Sequence, residues 1–383
     1  MSERTGRSRV TRWGVPIAAV AVVAAAVGAG PVIAAVQGEP TLPTRTAQQL
    51  LADAARAGQS GGVKPMSGTV IQTASLGLPG LPDISGAGGS SPAALLAGSH
   101  ELKVWYGGAD RLRLALPGRM SETDLIVNGD QVWLWQSETN EATRIKGVDR
   151  GTESKHASAL PSATTPQQAA QEVLSRAATD TVVSVSNTER VADRPAYQLV
   201  LAPKDSASLV KEVRLALDGE TFVPLRVQVY AKSAAEPAFE VGFTSITFTP
   251  PAAENFTFTP PAGAKVTERN ADEPGEQDQA RQERQRKLEG DLKVVGQGWT
   301  SVAVLPFSVK DLGANAAQKA DGEGEDATAV ATALLGSAKQ VSGPWGSGRV
   351  IQTKLLSALL TDDGRLLVGA VTPEKLQEAA ARG

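Results

Sequence analysis

The sequence predicts an α+β protein. Its main part is a strongly curved antiparallel sheet of about ten strands with helices in the hollow, and a small C-terminal α+β module follows. Three observations carry this. Between residues 68 and 261, short runs alternate apolar and polar residues around Asn-Gly, Asp-Gly and Gly-Gly turns, as hairpins do in a sheet with one solvated face. Two segments carry one narrow apolar stripe at helical spacing, too narrow to stand alone. From 265 to 289 the chain becomes charged and almost free of apolar residues before an apolar pattern resumes, which separates one unit from the next.

Residues 1–13 carry four arginines and one glutamate. The 23 residues 14–36 contain no charge, enough for a helix to cross about 30 Å of hydrocarbon with the arginines on the cytoplasmic side. The expectation is an exported body, with membrane contact through 14–36 as an uncleaved anchor or as a signal peptide cut near Ala34 and Ala35. A short linker with Pro40 and Pro43 leads to a helix over 44–58. Its stripe is Ala47, Leu50, Leu51, Ala54 and Ala55, and Gly58 closes it.

The strands come next. A first run near Gly68 is followed, after a long loop, by LKVWY and RLRLALP around residues 107–110. DLIV and QVWLW then flank Asn128-Gly129, a strong hairpin signal. AYQLVL follows, then VRLAL and PLRVQVY around Asp218-Gly219, and GFTSITF and NFTFTPP complete the set. One helix interrupts them, with Thr165 as N-cap, Pro166 at its first position and Gln168 closing a capping box. Hairpins in sequence give a sheet that curls, and the two narrow helices pack into its hollow. The domain is read as 44–267, followed by a charged linker over 268–289 and a second unit over 290–383. That unit holds a strand at WTSVAVLPF, a disordered stretch near 312–327, a short helix over 328–335, a hairpin around residues 361–364, and a helix capped by Thr372 and Pro373.

Composition excludes much chemistry. The chain has no cysteine and only two histidines, His100 and His156, both read as solvated loop residues. Thiol catalysis, Cys-ligated zinc and three-His metal sites are therefore excluded, and no metal or cofactor is expected. The net charge is −3 with the basic N-terminus included, which leaves no basic footprint for nucleic acid. Ser208 and Lys211 form an S-x-x-K without its companion motifs. The run 343–349 lacks the Lys-Ser/Thr ending of a phosphate loop and reads as a turn. No enzyme is expected.

Two features ask for more. Trp105, Tyr106, Trp133 and Trp135 cluster in a chain that is only 4% aromatic. On QVWLW the tryptophans take one face and Val132 and Leu134 the other, so this strand is covered on both sides or lines a cavity. Residues 75–98 form a loop far longer than a hairpin needs. Its Leu76, Leu78, Leu81, Leu95 and Leu96 suggest an apolar lid.

The order of these elements, with GTVIQTASLGLPGLP, KVWYGGADRLRLALPG, ETDLIVNGDQVWLWQSETN, VRLALDGETFVPLRVQVYA and FTFTPPAGAKV, resembles the LolA-like superfamily. That superfamily comprises periplasmic lipoprotein carriers, mycobacterial lipid-binding lipoproteins and sigma-E regulators of the MucB/RseB type. The resemblance spans about 200 residues, 66–267, and the second unit is similar in placement to that of the regulators. It implies an unclosed half-barrel that holds a lipid or the acyl chains of a lipoprotein. As the alternative, it implies a regulator that binds a transmembrane anti-sigma factor. Without a cysteine the chain cannot carry the N-terminal lipid of the mycobacterial members. Alternation assigns Leu102, Val104, Leu112, Leu114, Leu215 and Val227 to the hollow, because their neighbours are Lys103, Arg111, Arg113, Arg214, Arg226 and Gln228. Trp133 and Trp135 are added as candidate lining residues.

Overall fold

The computed structural model describes residues 41–58, 63–77, 97–118, 120–147, 178–271, 283, 286, 290–307 and 336–382. Helix α1 (Ala47–Ala57) precedes strands β1 (Met66–Ser75), β2 (Ala97–Gly108), β3 (Arg111–Pro117), β4 (Glu122–Asn128), β5 (Gln131–Gln136) and β6 (Glu141–Lys146). After these come β7 (Thr181–Val191), β8 (Arg194–Pro203), β9 (Val210–Asp218), β10 (Pro224–Ala231), β11 (Pro237–Thr247) and β12 (Lys265–Asn270). The second unit holds β13 (Lys293–Val295), β14 (Val302–Pro306), β15 (Lys339–Gly343), β16 (Gly346–Gln352), β17 (Ser357–Thr361), β18 (Arg365–Gly369) and α2 (Pro373–Arg382).

Strands β1–β12 form one sheet in the order β12-β6-β5-β4-β3-β2-β1-β11-β10-β9-β8-β7. All neighbours are antiparallel except β12, which lies parallel to β6. Register shifts at Thr69/Val70, between Pro224 and Arg226, and at Val229/Tyr230 are bulges, which bend and coil a sheet. The coil is tight enough for β7 to touch β11, four places away. The end strands β12 and β7 do not pair with each other, so the curved sheet stays unclosed.

Hairpin chemistry explains much of the order. At Asn128-Gly129 the glycine adopts φ 61°, a conformation open to glycine at no steric cost. Between β9 and β10 the buried Asp218 carboxylate accepts from the Glu220 and Thr221 amides and the Thr221 hydroxyl. Helix α1 starts at a capping box of Thr46 and Gln49 and packs Leu50 against Tyr197 and Leu217. Ala55, expected in its stripe, is exposed.

The second unit is a six-stranded antiparallel sheet, β13-β14-β18-β17-β16-β15. Leu376, Ala379 and Ala380 of α2 cover one face of it, on Val302, Val304, Val350, Leu359 and Leu367. This unit is docked on the large sheet. Trp299, Leu355 and Ala370 pack onto the large sheet's main apolar cluster. The Leu209 amide donates to the Ala370 carbonyl (2.8 Å), and the Thr372 amide to the Ala207 carbonyl (2.9 Å).

Several expectations are corrected. NFTFTPP is not a strand. A 3-10 turn (Ala253–Phe256) opens it, and the chain crosses there from β11 to the far edge, where β12 begins. Residues 268–270, assigned to the charged linker, end β12, because a fully exposed edge strand tolerates charge on both faces. The sequence reading also missed β6, β7, β13 and β15, and it read 350–360 as one strand where the structure has the separate strands β16 and β17. Strands β6 and β15 are short of apolar residues, and β7 turns polar over 187–190. His100 sits within β2 opposite Gln72 rather than in a loop. The predicted turn at 343–349 is the β15–β16 hairpin. Residues 14–36, the loop from 78 to 96, His156, the Thr165 helix and the helix at 328–335 lie outside the described residues. Among the described residues, no helix is long and apolar enough to cross a membrane.

Strand β12 buries none of its side chains. Its side chains are tied to β6 by exposed ion pairs, Lys265–Glu141 (2.6 Å) and Glu268–Lys146 (2.7 Å). Exposed pairs contribute little and are screened by salt. Amide exchange should therefore be faster in β12 than in β11 and should rise with ionic strength. Equal protection of the two strands would refute this.

Candidate functional site

Register assigns the faces. Val70, Leu102, Val104, Leu114 and Leu125 fall on one face of β1–β4, since Val70 pairs with Leu102, Val104 with Leu114 and Leu114 with Leu125. Leu112 joins them through Tyr106 and Val127. The same face continues across Val241, Val227, Leu215 and Leu199. Six of the predicted lining residues thus share one apolar face. Their exposure divides them. Leu102, Val104 and Val227 are buried at 4%, 8% and 1% in the cluster that also receives Trp299 and Leu355. Leu112 and Leu114 are half-buried. Beside them lie Leu125, Val127 and Ile145, also half-buried, and Leu134 at 36% exposure. These four were missed as lining, although the alternation of DLIV and QVWLW carried the signal for three of them. An apolar strip therefore runs across β3, β4 and β5, continuous with the packed cluster but only partly covered.

Trp133 and Trp135 are on the opposite face. Trp133 pairs with Ile126 and Arg144, and Trp135 with Asp124 and Ala142, so neither shares a face with Leu112 or Leu114. Phe258 of the crossover lies 5.4 Å and 5.7 Å from the two rings. Phe256 is buried against Gly107, where a Cβ would stand 2.9 Å from its ring. The crossover covers the tryptophan side of β5 and the strip lies on its other side, which is why this strand is apolar on both faces.

Charge on the tryptophan face is internally matched. The Arg113 guanidinium lies over Trp105 at 5.3 Å and donates to Asp124 at 2.8 Å. A hydrogen bond to Asp124, with burial adding to it, pushes the Glu122 carboxyl up. Arg144 lies over Trp133 at 5.5 Å. This arrangement can hold the crossover in place through aromatic and cation–π contact.

Other candidates resolve simply. Ser208 is buried, and its hydroxyl accepts from the Val210 amide, while Lys211 is exposed on β9. Among the described residues no group of His, Asp or Glu could hold a metal ion. Of the predicted lid, Leu76 is described and half-buried, whereas Leu78, Leu81, Leu95 and Leu96 lie outside the described residues. A small apolar cavity of about 80 Å³ lies in the second unit, lined by Phe307, Ile351, Leu360 and Leu366 among others.

No family model matches the sequence, and no curated protein matches it significantly. Among solved structures, the chain is similar to a chain of the Pseudomonas aeruginosa MucA/MucB complex, at 15% identity over 87% of this chain and 96% of that one, with a TM-score of 0.38. It is similar to an uncharacterized conserved protein from Thermus thermophilus, at 13% identity over 59% and 100%, TM-score 0.32. It is also similar to a LolA superfamily protein from Nitrosomonas europaea, at 14% identity over 56% and 99%, TM-score 0.20.

Proposed function

We propose that this chain is an exported binding protein, without catalysis of its own, that holds a lipid or the acyl chain of a lipidated partner on its apolar face. The single observation that supports this reading is the strip on β3–β5. Leu112, Leu114, Leu125 and Val127 are half-buried and Leu134 is exposed beside them, continuous with a packed core. Apolar surface left open in this way marks a binding site. A fatty chain laid along it gains about 0.8 kcal/mol per buried methylene, before the cost of ordering. Export rests on the arginine cluster and the uncharged residues 14–36, with tethering or release left to the fate of that segment.

Native mass spectrometry of the purified 40–383 fragment tests the reading. The expected result is a lipid that copurifies and leaves when Leu114 is replaced by Asp. A ligand-free mass, together with no uptake of added phospholipid, would refute the reading. Because Trp133 is on the other face, Trp133→Phe should leave acyl affinity unchanged in the same assay.

A second reading, a regulator that binds the exported part of a transmembrane anti-sigma factor, is favoured by the second unit. No residue of that unit lies on β3–β5, yet it is docked by backbone hydrogen bonds at Leu209 and Thr372. Pull-downs from envelope extracts with and without residues 290–383 would separate the two readings, since only a regulator loses a protein partner with that unit.

A further inference from the structure

The turn between β16 and β17 in the second unit reaches into the large sheet. Leu355, at its tip, packs against the cluster that includes Val70, Leu102 and Val104 and that Leu114 and Leu116 also join. The turn is stiff. The Thr353 amide donates to the Leu356 carbonyl at 2.8 Å, and the Thr353 hydroxyl oxygen accepts from the Leu355 and Leu356 amides. It is also fixed to the large sheet. The Lys354 amide donates to the Leu76 carbonyl at 2.8 Å, and its ammonium to the Ser75 hydroxyl at 2.8 Å. Trp299 packs on the same cluster, with its indole N–H donating to the Thr181 hydroxyl at 2.7 Å.

We infer that Leu355 forms a fixed wall that ends the ligand strip and sets the length of acyl chain the protein prefers. This rests on the acyl-binding reading above. The strip on β3–β5 runs into this cluster through Leu114 and Leu116, and the Leu355 turn, held at the end of β1 by Leu76 and Ser75, takes the space a longer chain would need. A flexible contact would move aside. A turn held by hydrogen bonds to its own backbone and to the ends of β1 does not, so it discriminates by size. Methylenes short of the wall are each worth about fourfold in affinity, and those beyond it add nothing or strain the site. Leu356, next along the turn, is 45% exposed and takes no part in the wall.

The test uses the full-length chain kept soluble in amphipol, with saturated fatty acids from octanoic to stearic displacing a fluorescent fatty acid. Wild type should gain affinity with each methylene and then level off. Leu355→Ala removes three carbons, so the plateau should move to chains about two methylenes longer, with roughly fifteenfold tighter binding there. Leu355→Trp should move the plateau the other way, and Leu356→Ala should leave it in place. A plateau that stays where it was in both Leu355 variants, with binding intact, overturns the wall. Should wild type bind no acid of any length, the acyl-binding reading itself fails, a result distinct from an unmoved plateau.

Discussion

Replacing Asp218 with alanine is expected to destabilise the protein by about 3 kcal/mol, the lower end of what breaking a buried ion pair costs. Asp218 has no exposed surface, and its partner Arg194 is 26% exposed, so the stranded guanidinium regains part of its hydration. The carboxylate also closes the β9–β10 turn through the Glu220 and Thr221 amides, and the loss extends beyond the turn. Phe222, held there at φ 57°, stacks on Tyr197 at 6.2 Å. The Tyr197 hydroxyl donates to the Pro43 carbonyl at 2.8 Å, just ahead of α1. Amide exchange over 42–57 should therefore rise in the variant. The effect has a definite pH dependence. Burial alone would push the Asp218 carboxyl up, but the hydrogen bond from Arg194, followed by those from Thr221, holds it below the ordinary range. A carboxyl with a depressed folded pKa stabilises fully above its unfolded value of about 3.9, and that stabilisation is lost as pH falls through the folded value. Urea midpoints for wild type and variant should differ most at neutral pH and converge below about pH 4. A gap that persists unchanged in acid would show that the charge plays no part.

The sheet was legible where side chains alternate cleanly. RLRLALP and PLRVQVY each carry an apolar face against a largely polar one, and Asn128-Gly129 pins a register. It was illegible where alternation fails for a physical reason. TVVSVSNTERV on β7 alternates only briefly, over Val183 to Ser186, with Val185 packed beside Leu50 and Tyr197, before a polar run, and KVTERN on β12 buries nothing. NFTFTPP looks like a strand because Phe256 and Phe258 alternate. In the fold they plug the tryptophan side of β3–β5, a role set by residues more than a hundred positions away.

The candidate site was half legible for a related reason. A period of two tells which residues share a face of one strand but not which face of the next strand continues it. Leu102, Val104, Leu112, Leu114, Leu215 and Val227 fell together because each has a charged or polar neighbour to exclude the other face. Trp133 has no such neighbour and Trp135 has only Gln136, since Val132 and Leu134 are equally apolar, and the pairing of Leu134 with Leu125 decides between them. The wall at Leu355 could not be read at all. KLLSALL shows no break that would make Leu355 a turn tip, and nothing in its composition announces contact with the large sheet's apolar cluster.

Replacing Leu112 with aspartate is expected to lower acyl affinity by at least about a hundredfold while leaving a folded protein. Leu112 is half-buried on β3 between Tyr106 and Val127, so a carboxylate there keeps contact with water when the site is empty. The cost to stability should stay near 1 kcal/mol, typical of a substitution away from the packed core. A bound chain changes this balance, because it would cover the carboxylate with hydrocarbon and leave it without a partner. Burying a polar group unpaired costs several kcal/mol, and a charge costs more, which corresponds to the stated loss or a greater one. Arg111 and Arg113, its two neighbours on β3, are on the other face, over Phe256 and engaged with Asp124 respectively, so neither comes to the aspartate's aid. Val182→Asp is the matching control. Val182 is 54% exposed on β7, and its register with Ala202 assigns it to the face away from Leu199 and Leu215, so the same charge there should leave binding untouched. Titration of both variants with a fluorescent fatty acid, beside a thermal melt, separates affinity from folding. A folded Leu112→Asp that binds as wild type does would remove β3 from the site and, with it, the strip.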